Sequence, residues 1–305
     1  MTGAVVDLGS NTFHLLIVSI PATDSKPMKV VHRSVYFTKL AGGGGKTIPE
    51  KIFNEALKAL KTIAHKLIKY SPGFVRIVGT SVLRTADNSA SFIKEAEKIL
   101  GYPVEILDGA SEAGYIADGS LLHRELRSGN NLIMDIGGGS TEFILLENGK
   151  IRWKHSTPLG VGVLKHSFFQ NEIFTENDVE KAKSYVTSHL PFSKKDFQKL
   201  KCDRIGGASG TFEALEYLIF NTSGYTENLR YFEGERCRQL FQVISGMNLE
   251  ERLQFPHMPE KRADLIPVGL WLVNLVMEIT QCQSLFVSRY AIKEGVIHSS
   301  LSGLK

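Results

Sequence analysis

The sequence predicts an α/β protein made of two related layered domains, and three observations carry that prediction. Short apolar runs alternate with segments whose apolar residues recur at helical spacing, the pattern of sheets covered by helices. The start of the chain is also repeated: Val5-Val6-Asp7-Leu8-Gly9 is matched in residue type by Ile133-Met134-Asp135-Ile136-Gly137, 128 residues downstream. In both places a polar turn follows the glycine and an apolar run follows the turn, the mark of a structural repeat. Finally, 305 residues with 43% hydrophobic side chains fit one large or two medium domains, and the repeat favours two. The expected domains are 1–124 and 125–290, with a C-terminal helix, 291–305, packing back on the first.

The elements follow in order. Ala4–Val6 reads as a short buried strand entering the turn Asp7-Leu8-Gly9-Ser10-Asn11, and the apolar run 13–20 returns from it, making a hairpin with a polar tip. Residues 28–38 read as another strand and the GGGG at 42–45 as a mobile loop. Thr47, with Pro49 just inside, is expected to open a helix that places Phe53, Ala56, Leu57, Leu60, Ala64, Leu67 and Ile68 on one stripe. A strand is predicted over 74–80, a helix over 90–100 closed by Gly101, and a strand over 104–107 leading through Asp108-Gly109 into a helix from Ser111. At Asn131 the pattern restarts: a strand over 132–134, the glycine turn, a returning strand over 143–146 and a third over 150–155. Residues 204–220 read as strand, loop and helix, and helices fill most of the remainder. The most apolar stretch, 265–279, is about fifteen residues long and carries Pro267 and Asn274, too short and interrupted to span a bilayer. It is predicted to be a core helix.

Composition excludes some function classes. A formal charge of +4 within a charged fraction of 22%, with no long basic run, suits a small anionic substrate better than a dedicated nucleic-acid surface. Cys202, Cys237 and Cys282 are isolated, with no CxxC pair, and no charged-then-apolar leader opens the chain. Reduced thiols in a cytoplasmic protein, with no membrane partner, are the expectation.

The chemistry concentrates at the turns. Small residues let backbone N–H groups approach a ligand, and several such groups aimed one way receive phosphate oxygens. Gly137-Gly138-Gly139-Ser140-Thr141 suits that use, as does Gly9-Ser10-Asn11-Thr12. Neither matches GxxxxGK[ST], and neither glycine turn opens a helix as a dinucleotide fingerprint does. The neighbouring carboxylates Asp7, Asp135 and Glu142 would repel phosphate unless a cation intervenes, and Mg²⁺ is the hard ion that carboxylates and phosphate oxygens hold together. With a true repeat, the two acidic turns are expected to face each other across a cleft. A third cluster, Gly206-Gly207-Ala208-Ser209-Gly210-Thr211, precedes a helix expected over 212–220. It would receive another phosphate or a nucleotide at that helix N-terminus, or serve close packing of helix on strand. Arg84 sits past a strand end, where its fork could hold a terminal phosphate. Glu112 opens a helix after a glycine turn, at the rim where α/β active sites gather. From composition alone, each reads as a surface salt-bridge residue before it reads as a catalytic one, and its weight comes from the neighbouring motifs.

Together these stretches resemble the exopolyphosphatase and guanosine pentaphosphate phosphatase (Ppx/GppA) family, a branch of the superfamily of paired ribonuclease-H-like domains that includes actin, Hsp70 and sugar kinases. The residues that carry the resemblance are VVDLGSNTFHLLI (5–17), GTSVLRTADN (79–88), ILDGASEA (106–113), LIMDIGGGSTEFILL (132–146), PLGVGVLK (158–165), RIGGASGTFEAL (204–215) and RADLIPVG (262–269). The resemblance implies two such domains facing across a cleft. It also implies that Glu112 matches the catalytic base, Arg84 the arginine on the scissile phosphate, and Asp7, Asp135 and Glu142 the acids around Mg²⁺ or Mn²⁺. Gly9, Ser10, Asn11, Thr12, Gly137, Gly138, Gly139, Ser140 and Thr141 would line the phosphate track, and Gly207, Ser209, Gly210 and Thr211 the cleft floor. Two positions depart from the pattern. Lys39-Leu40-Ala41 stands where the family often has Arg-Leu-Gly, and Gly114 replaces an arginine that commonly follows Glu-Ala. The chain also stops near Lys305, so the histidine-aspartate helical domain of longer members, and any second hydrolase activity, are not expected.

The expected function is Mg²⁺-dependent release of terminal phosphate from inorganic polyphosphate or from the 5′ end of guanosine pentaphosphate, by one protomer or a homodimer. The alternatives are a nucleotide- or (p)ppGpp-binding regulator with little turnover, and a kinase on the same scaffold.

Overall fold

The chain divides into two units, residues 1–119 with 292–305, and residues 120–291. The computed structural model describes residues 2–20, 28–42, 46–221 and 228–302. Of the expected glycine loop at 42–45, only Gly42 is among the described residues.

The first unit begins with three strands, β1 (Thr2–Leu8), β2 (Thr12–Ser19) and β3 (Lys29–Phe37). Helix α1 (Glu50–Tyr70), strand β4 (Phe74–Gly79), helices α2 (Ser81–Thr85) and α3 (Ser89–Leu100), strand β5 (Val104–Ile106) and helix α4 (Gly109–Ser120) follow. The sheet order is β3-β2-β1-β4-β5, with β1 antiparallel to β2 and parallel to β4. Because side chains alternate along a strand, Ala4, Val6 and Leu8 share one face with Phe13, Leu15 and Ile17. Helices α1 and α3 cover that face through Ala56, Leu60, Ile63, Leu67, Phe92 and Ala96. Val5 and Asp7 alternate to the other face.

Two details of α1 differ from the sequence expectation. Pro49 is the residue before the helix rather than its first turn, because the backbone of Ile48 is held on both sides by the Asn88 carboxamide: Ile48 N–H donates to Oδ1 at 2.9 Å, and Nδ2 donates to the Ile48 carbonyl at 2.9 Å. Ile68 is 77% exposed, whereas Ile63 is buried. The buried stripe runs Ala56, Leu60, Ile63, Leu67 at helical spacing, and Ile68 falls one residue past it, toward solvent.

The second unit opens with a 3₁₀ turn (Arg124–Arg127) and three antiparallel strands, β6 (Asn130–Ile136), β7 (Thr141–Glu147) and β8 (Lys150–Thr157). Helices α5 (Val161–Phe168), α6 (Glu176–His189) and α7 (Lys194–Lys199) lead to β9 (Arg204–Gly207) and α8 (Gly210–Phe220). Then come β10 (Arg230–Glu233), α9 (Gly234–Ile244), α10 (Leu249–Gln254), α11 (Ile266–Thr280) and β11 (Ser284–Val287). Thr175 and Asp178 start α6 with a reciprocal capping box. Helix α11 is buried along nearly its whole length, the core helix that its composition predicts. The segment expected to be mostly helical also contains β10 and β11, and β11 is interior, pairing with β9 on one side and β10 on the other. Its Leu-Phe-Val run is too short for periodicity to separate a buried strand from the end of a buried helix.

The sheet order here is β10-β11-β9-β6-β7-β8. Without the edge strand β10, it reproduces the first sheet strand for strand. Strands β4 and β9 end at Gly79 and Gly207, the same 128 residues apart as Asp7 and Asp135. Both units therefore have the ribonuclease-H-like arrangement. The last helix, α12 (Ile292–Ser302), belongs to the first unit. Arg33 of β3 donates to Glu294 at 2.9 Å, Arg76 of β4 to Ser300 at 3.3 Å, and a β-carbon on Gly295 would collide with the Tyr115 carbonyl of α4. Among the described residues no helix is long and apolar enough to cross a membrane.

Candidate active site

In the first unit, the β1–β2 register runs through Asp7 opposite His14 and Leu8 opposite Phe13, and Gly9 N–H closes the turn onto the Thr12 carbonyl at 3.1 Å. A β-carbon on Gly9 would lie 2.8 Å from that same carbonyl oxygen, so the turn needs glycine there. The turn's other carbonyls are occupied: Ser10 O accepts from Ala41 N–H at 3.0 Å, and Asn11 O accepts from Thr38 and Lys39 N–H, each at 3.0 Å. Lys39, one of the departures from the family pattern, makes its bond from a left-handed conformation (φ 51°). With both carbonyls turned into the scaffold, the N–H groups of Ser10 and Asn11 make no backbone hydrogen bond among the described residues. The buried Ser10 hydroxyl accepts from Val82 N–H at 3.2 Å, tying the turn to α2, and Thr12 shares a 2.9 Å hydrogen bond with His14 Nε2.

Helix α2 carries Arg84, whose Nη1 donates to the Leu107 carbonyl at 2.7 Å and to Glu112 Oε2 at 2.6 Å. The two residues singled out for catalysis are thus ion-paired to each other, with the Glu112 side chain 8% exposed and Arg84 20%. Asp108 stands at the start of α4, where the N–H and hydroxyl of Ser111 hold its carboxyl below the usual range; the 2.7 Å hydrogen bond from Ser111 N–H is the larger cause. Asp108 orients the turn that presents Glu112.

The second unit repeats the device. Gly137 N–H donates to Ser140 O at 2.9 Å, in the place of Gly9 and Thr12. The carbonyls again face the scaffold: Val161 N–H donates to Gly137 O at 2.9 Å and Gly162 N–H to Gly138 O at 2.9 Å, so the turn sits on the first N–H groups of α5. Those are donors that a helix start leaves unpaired. Gly160 is required by this seat, since a β-carbon there would lie 2.5 Å from the Gly138 carbonyl. The N–H groups of Gly138 and Gly139 make no backbone hydrogen bond among the described residues. Ser140 is buried at the turn's end. Thr141 is fully buried, and its hydroxyl donates to the Leu159 carbonyl at 2.8 Å, which fastens the hairpin from behind.

Beside this turn lies a row of polar residues across three strands: Asp135 on β6 stands opposite Glu142 on β7, which stands opposite Ser156 on β8. Ser156 Oγ donates to Glu142 Oε1 at 2.6 Å, and Glu142 is 2% exposed. Like charges directly opposite on neighbouring strands are destabilising. Two carboxylates in this relation, one of them buried, are residues that could hold a cation. Among the described residues, no three His, Cys, Asp or Glu side chains group as a metal cage. Asp135 and Glu142 offer the donor set that Mg²⁺ uses, one or two carboxylates with water and substrate oxygens completing the shell.

The third glycine cluster is used differently. A β-carbon on Gly206 would strike the Phe286 ring and one on Gly207 the Met134 carbonyl, while Gly207 O accepts from Ser288 N–H at 2.8 Å; these two glycines serve strand packing. The Ser209 hydroxyl accepts from Ile136 N–H at 2.8 Å, and buried Thr211 packs on Gly269. The Arg262 guanidinium lies directly over Gly210, leaving no room for a side chain at the start of α8. Glu213, one turn on, takes Arg262 at 3.3 Å and Arg289 at 3.7 Å; buried Glu216 takes Arg230 at 3.0 Å and also Arg289. Sequence reasoning quoted Arg262 within RADLIPVG without a role and missed Arg230, Arg289 and Ser156, because the arginines come from three distant segments and Ser156 is identified only by strand register.

Duplicated ribonuclease-H-like sheets place the chain among the actin-like α/β proteins. More narrowly, it belongs to the Ppx/GppA phosphatase family, whose model matches residues 17–303. It is 29% identical over 304 residues to the guanosine-5′-triphosphate,3′-diphosphate pyrophosphatase of Vibrio vulnificus, covering 99% of this chain and 60% of that protein. The chain thus spans about three fifths of the length of such curated relatives. Over its whole length it superimposes on the crystal structure of an exopolyphosphatase from Cytophaga hutchinsonii, with a TM-score of 0.90, 28% identity and 99% of that chain covered. The Aquifex aeolicus Ppx/GppA family member gives a TM-score of 0.79 at 25% identity, over 100% of this chain and 99% of the other.

Proposed function

We propose that this protein is a divalent-cation-dependent phosphohydrolase releasing the terminal phosphate of inorganic polyphosphate or the 5′ phosphate of guanosine pentaphosphate. Family membership and the names of the relatives support the reaction class. The observation that carries it is the pairing of Asp135 with Glu142 beside a turn whose Gly137 and Gly138 carbonyls accept from the start of α5. Backbone N–H groups favour an anion there and paired acids favour a cation, a combination that a metal-bound phosphate satisfies.

In this reading Asp135 and Glu142 hold Mg²⁺ or Mn²⁺, and Ser156 orients the Glu142 carboxylate. When bound, the ion would offset negative charge on the phosphate oxygens. Gly138 and Gly139 supply main-chain donors for phosphate oxygens beside that acid pair; within the first unit Ser10 and Asn11 are the matching donors and Asp7 the counterpart of Asp135. Thr141, Ser209 and Thr211 act by keeping the turns in shape. Glu112 takes the proton of the attacking water, a contribution on the order of 10²–10⁴-fold. A guanidinium has five N–H donors and the two bonds described use one nitrogen. Arg84 can therefore engage a terminal phosphate through its other N–H groups while it holds Glu112 in place.

The test is phosphate release from polyphosphate and from guanosine pentaphosphate, with Mg²⁺ and with chelator, for wild type and Glu112→Gln. Release that needs Mg²⁺ and falls at least about a hundredfold in the variant, with ligand binding retained, supports the reading. Tight binding with no turnover in wild type would replace it with a nucleotide-binding regulator, a reading that the Arg84–Glu112 ion pair would then explain.

A further inference from the structure

Cys202 and Cys282 are 80 residues apart in sequence but meet in the second unit. Each lies two residues before a strand, Cys202 before β9 and Cys282 before β11, and these strands are parallel neighbours with Leu285 opposite Ile205. Continuing that register backward by three residues brings the two cysteines side by side. Adjacent strands lie about 4.7–4.9 Å apart, within the Cα separation of roughly 4.4–6.8 Å that a disulfide spans. The side chains do meet, one thiol hydrogen-bonding the other. Each sulfur also lies near a carbonyl at the start of its own strand, Cys202 at 3.3 Å from Arg204 O and Cys282 at 3.5 Å from Ser284 O. Both are buried, yet the residues on either side, Lys201 and Asp203, Gln281 and Gln283, are exposed, so the pair lies just beneath the surface at the strand starts. Cys237 is fully buried on α9, with no other cysteine within its own helix.

We propose that Cys202 and Cys282 form a modification site: a dithiol that a hydroperoxide converts to an intrachain disulfide. The Cys282 thiolate attacks one peroxide oxygen, breaking the O–O bond to give a sulfenic acid and an alcohol or water. The Cys202 sulfur then attacks the sulfenic sulfur; the S–S bond forms, the S–O bond breaks, and hydroxide leaves with the Cys202 proton as water. Two sulfurs lose one electron each, and the peroxide is reduced by two. The division of roles follows from the hydrogen bond between the thiols. The contact lowers the pKa of Cys282, while the contact together with burial raises that of Cys202. Burial pushes Cys237 up to about 12, which leaves it without a thiolate near neutral pH. The disulfide would staple β9 to β11 at their N-terminal ends, opposite the ends that lead to Gly207 and Ser288.

The test is titration of the folded, reduced protein with hydrogen peroxide, followed by alkylation, intact mass and non-reducing peptide mapping. The expected result is loss of two thiols per chain, a peptide cross-link joining Cys202 to Cys282, restoration by dithiothreitol, and the same outcome in Cys237→Ala. An oxidised protein that unfolds at higher urea than the reduced one would show that the bond forms in the native fold. Sulfinic acid at either residue without the cross-link, cystines that include Cys237, or thiols that resist peroxide until urea is added would each overturn the proposal. Wild type alone decides these outcomes, so no variant that might fail to fold is needed.

Discussion

The two hairpins at β1–β2 and β6–β7 have the same backbone and different side-chain rows. Each closes its turn with a glycine N–H on the carbonyl three residues later, and each has two further carbonyls bonded to the scaffold, those of Ser10 and Asn11 in the first and of Gly137 and Gly138 in the second. Yet where the second presents Asp135, Glu142 and Ser156 in register, the first presents Asp7, His14 and Val35. The two turns thus match in backbone, and one position, His14 against Glu142, leaves the second doubly acidic and the first not. The lesson is that the two copies share the fold and divide the chemistry. The second hairpin carries the acid pair on which the proposed cation site rests, whereas the first stands beside the strand ends that present Arg84 and Glu112.

The predictions below probe that division, starting with the largest effect. Asp135→Asn or Glu142→Gln should lower phosphate release by about 10²–10³-fold and raise the Mg²⁺ concentration for half-activation. Asp7→Asn should shift the Mg²⁺ requirement less, and equal shifts would mean that the hairpins do not differ as described. Glu112→Gln should cost about a hundredfold in turnover at unchanged metal requirement. Arg84→Ala should raise KM as well as lower kcat, because it removes a contact made to bound phosphate; an unchanged KM in steady-state kinetics would confine Arg84 to orienting Glu112. Gly160→Ala should displace the second turn alone, with a stability loss of about 1–3 kcal/mol in urea unfolding. The smallest effect is expected of His14→Glu, which copies the acid pair onto the first hairpin. It should destabilise by roughly 0.2–1 kcal/mol, and Mg²⁺ should recover part of that loss.

Much of this was legible beforehand, and the reasons are local. The five-residue match at Asp7 and Asp135 exposed the repeat, and strand alternation and glycine placement located both turns. Apolar content marked α11 as a core helix. Other features depended on partners far along the chain. Residues 284–287 were unreadable as an interior strand because only pairing with β9 and β10 makes them one. Thr141 has a composition that suits phosphate, and its burial against Leu159 makes it a fastener. Gly206 and Gly207 suit a phosphate loop equally well, and the Phe286 ring and Met134 carbonyl claim them.

From the sequence alone came the repeated strand-turn-strand unit, the acids beside it and the family resemblance, since hydrophobic period and turn chemistry act over a few residues. Only the tertiary structure set Asp135 opposite Glu142, joined Arg84 to Glu112, and brought Cys202 to Cys282. Cross-strand register and helix docking decide which distant side chains become neighbours, and those depend on how whole sheets bury their faces.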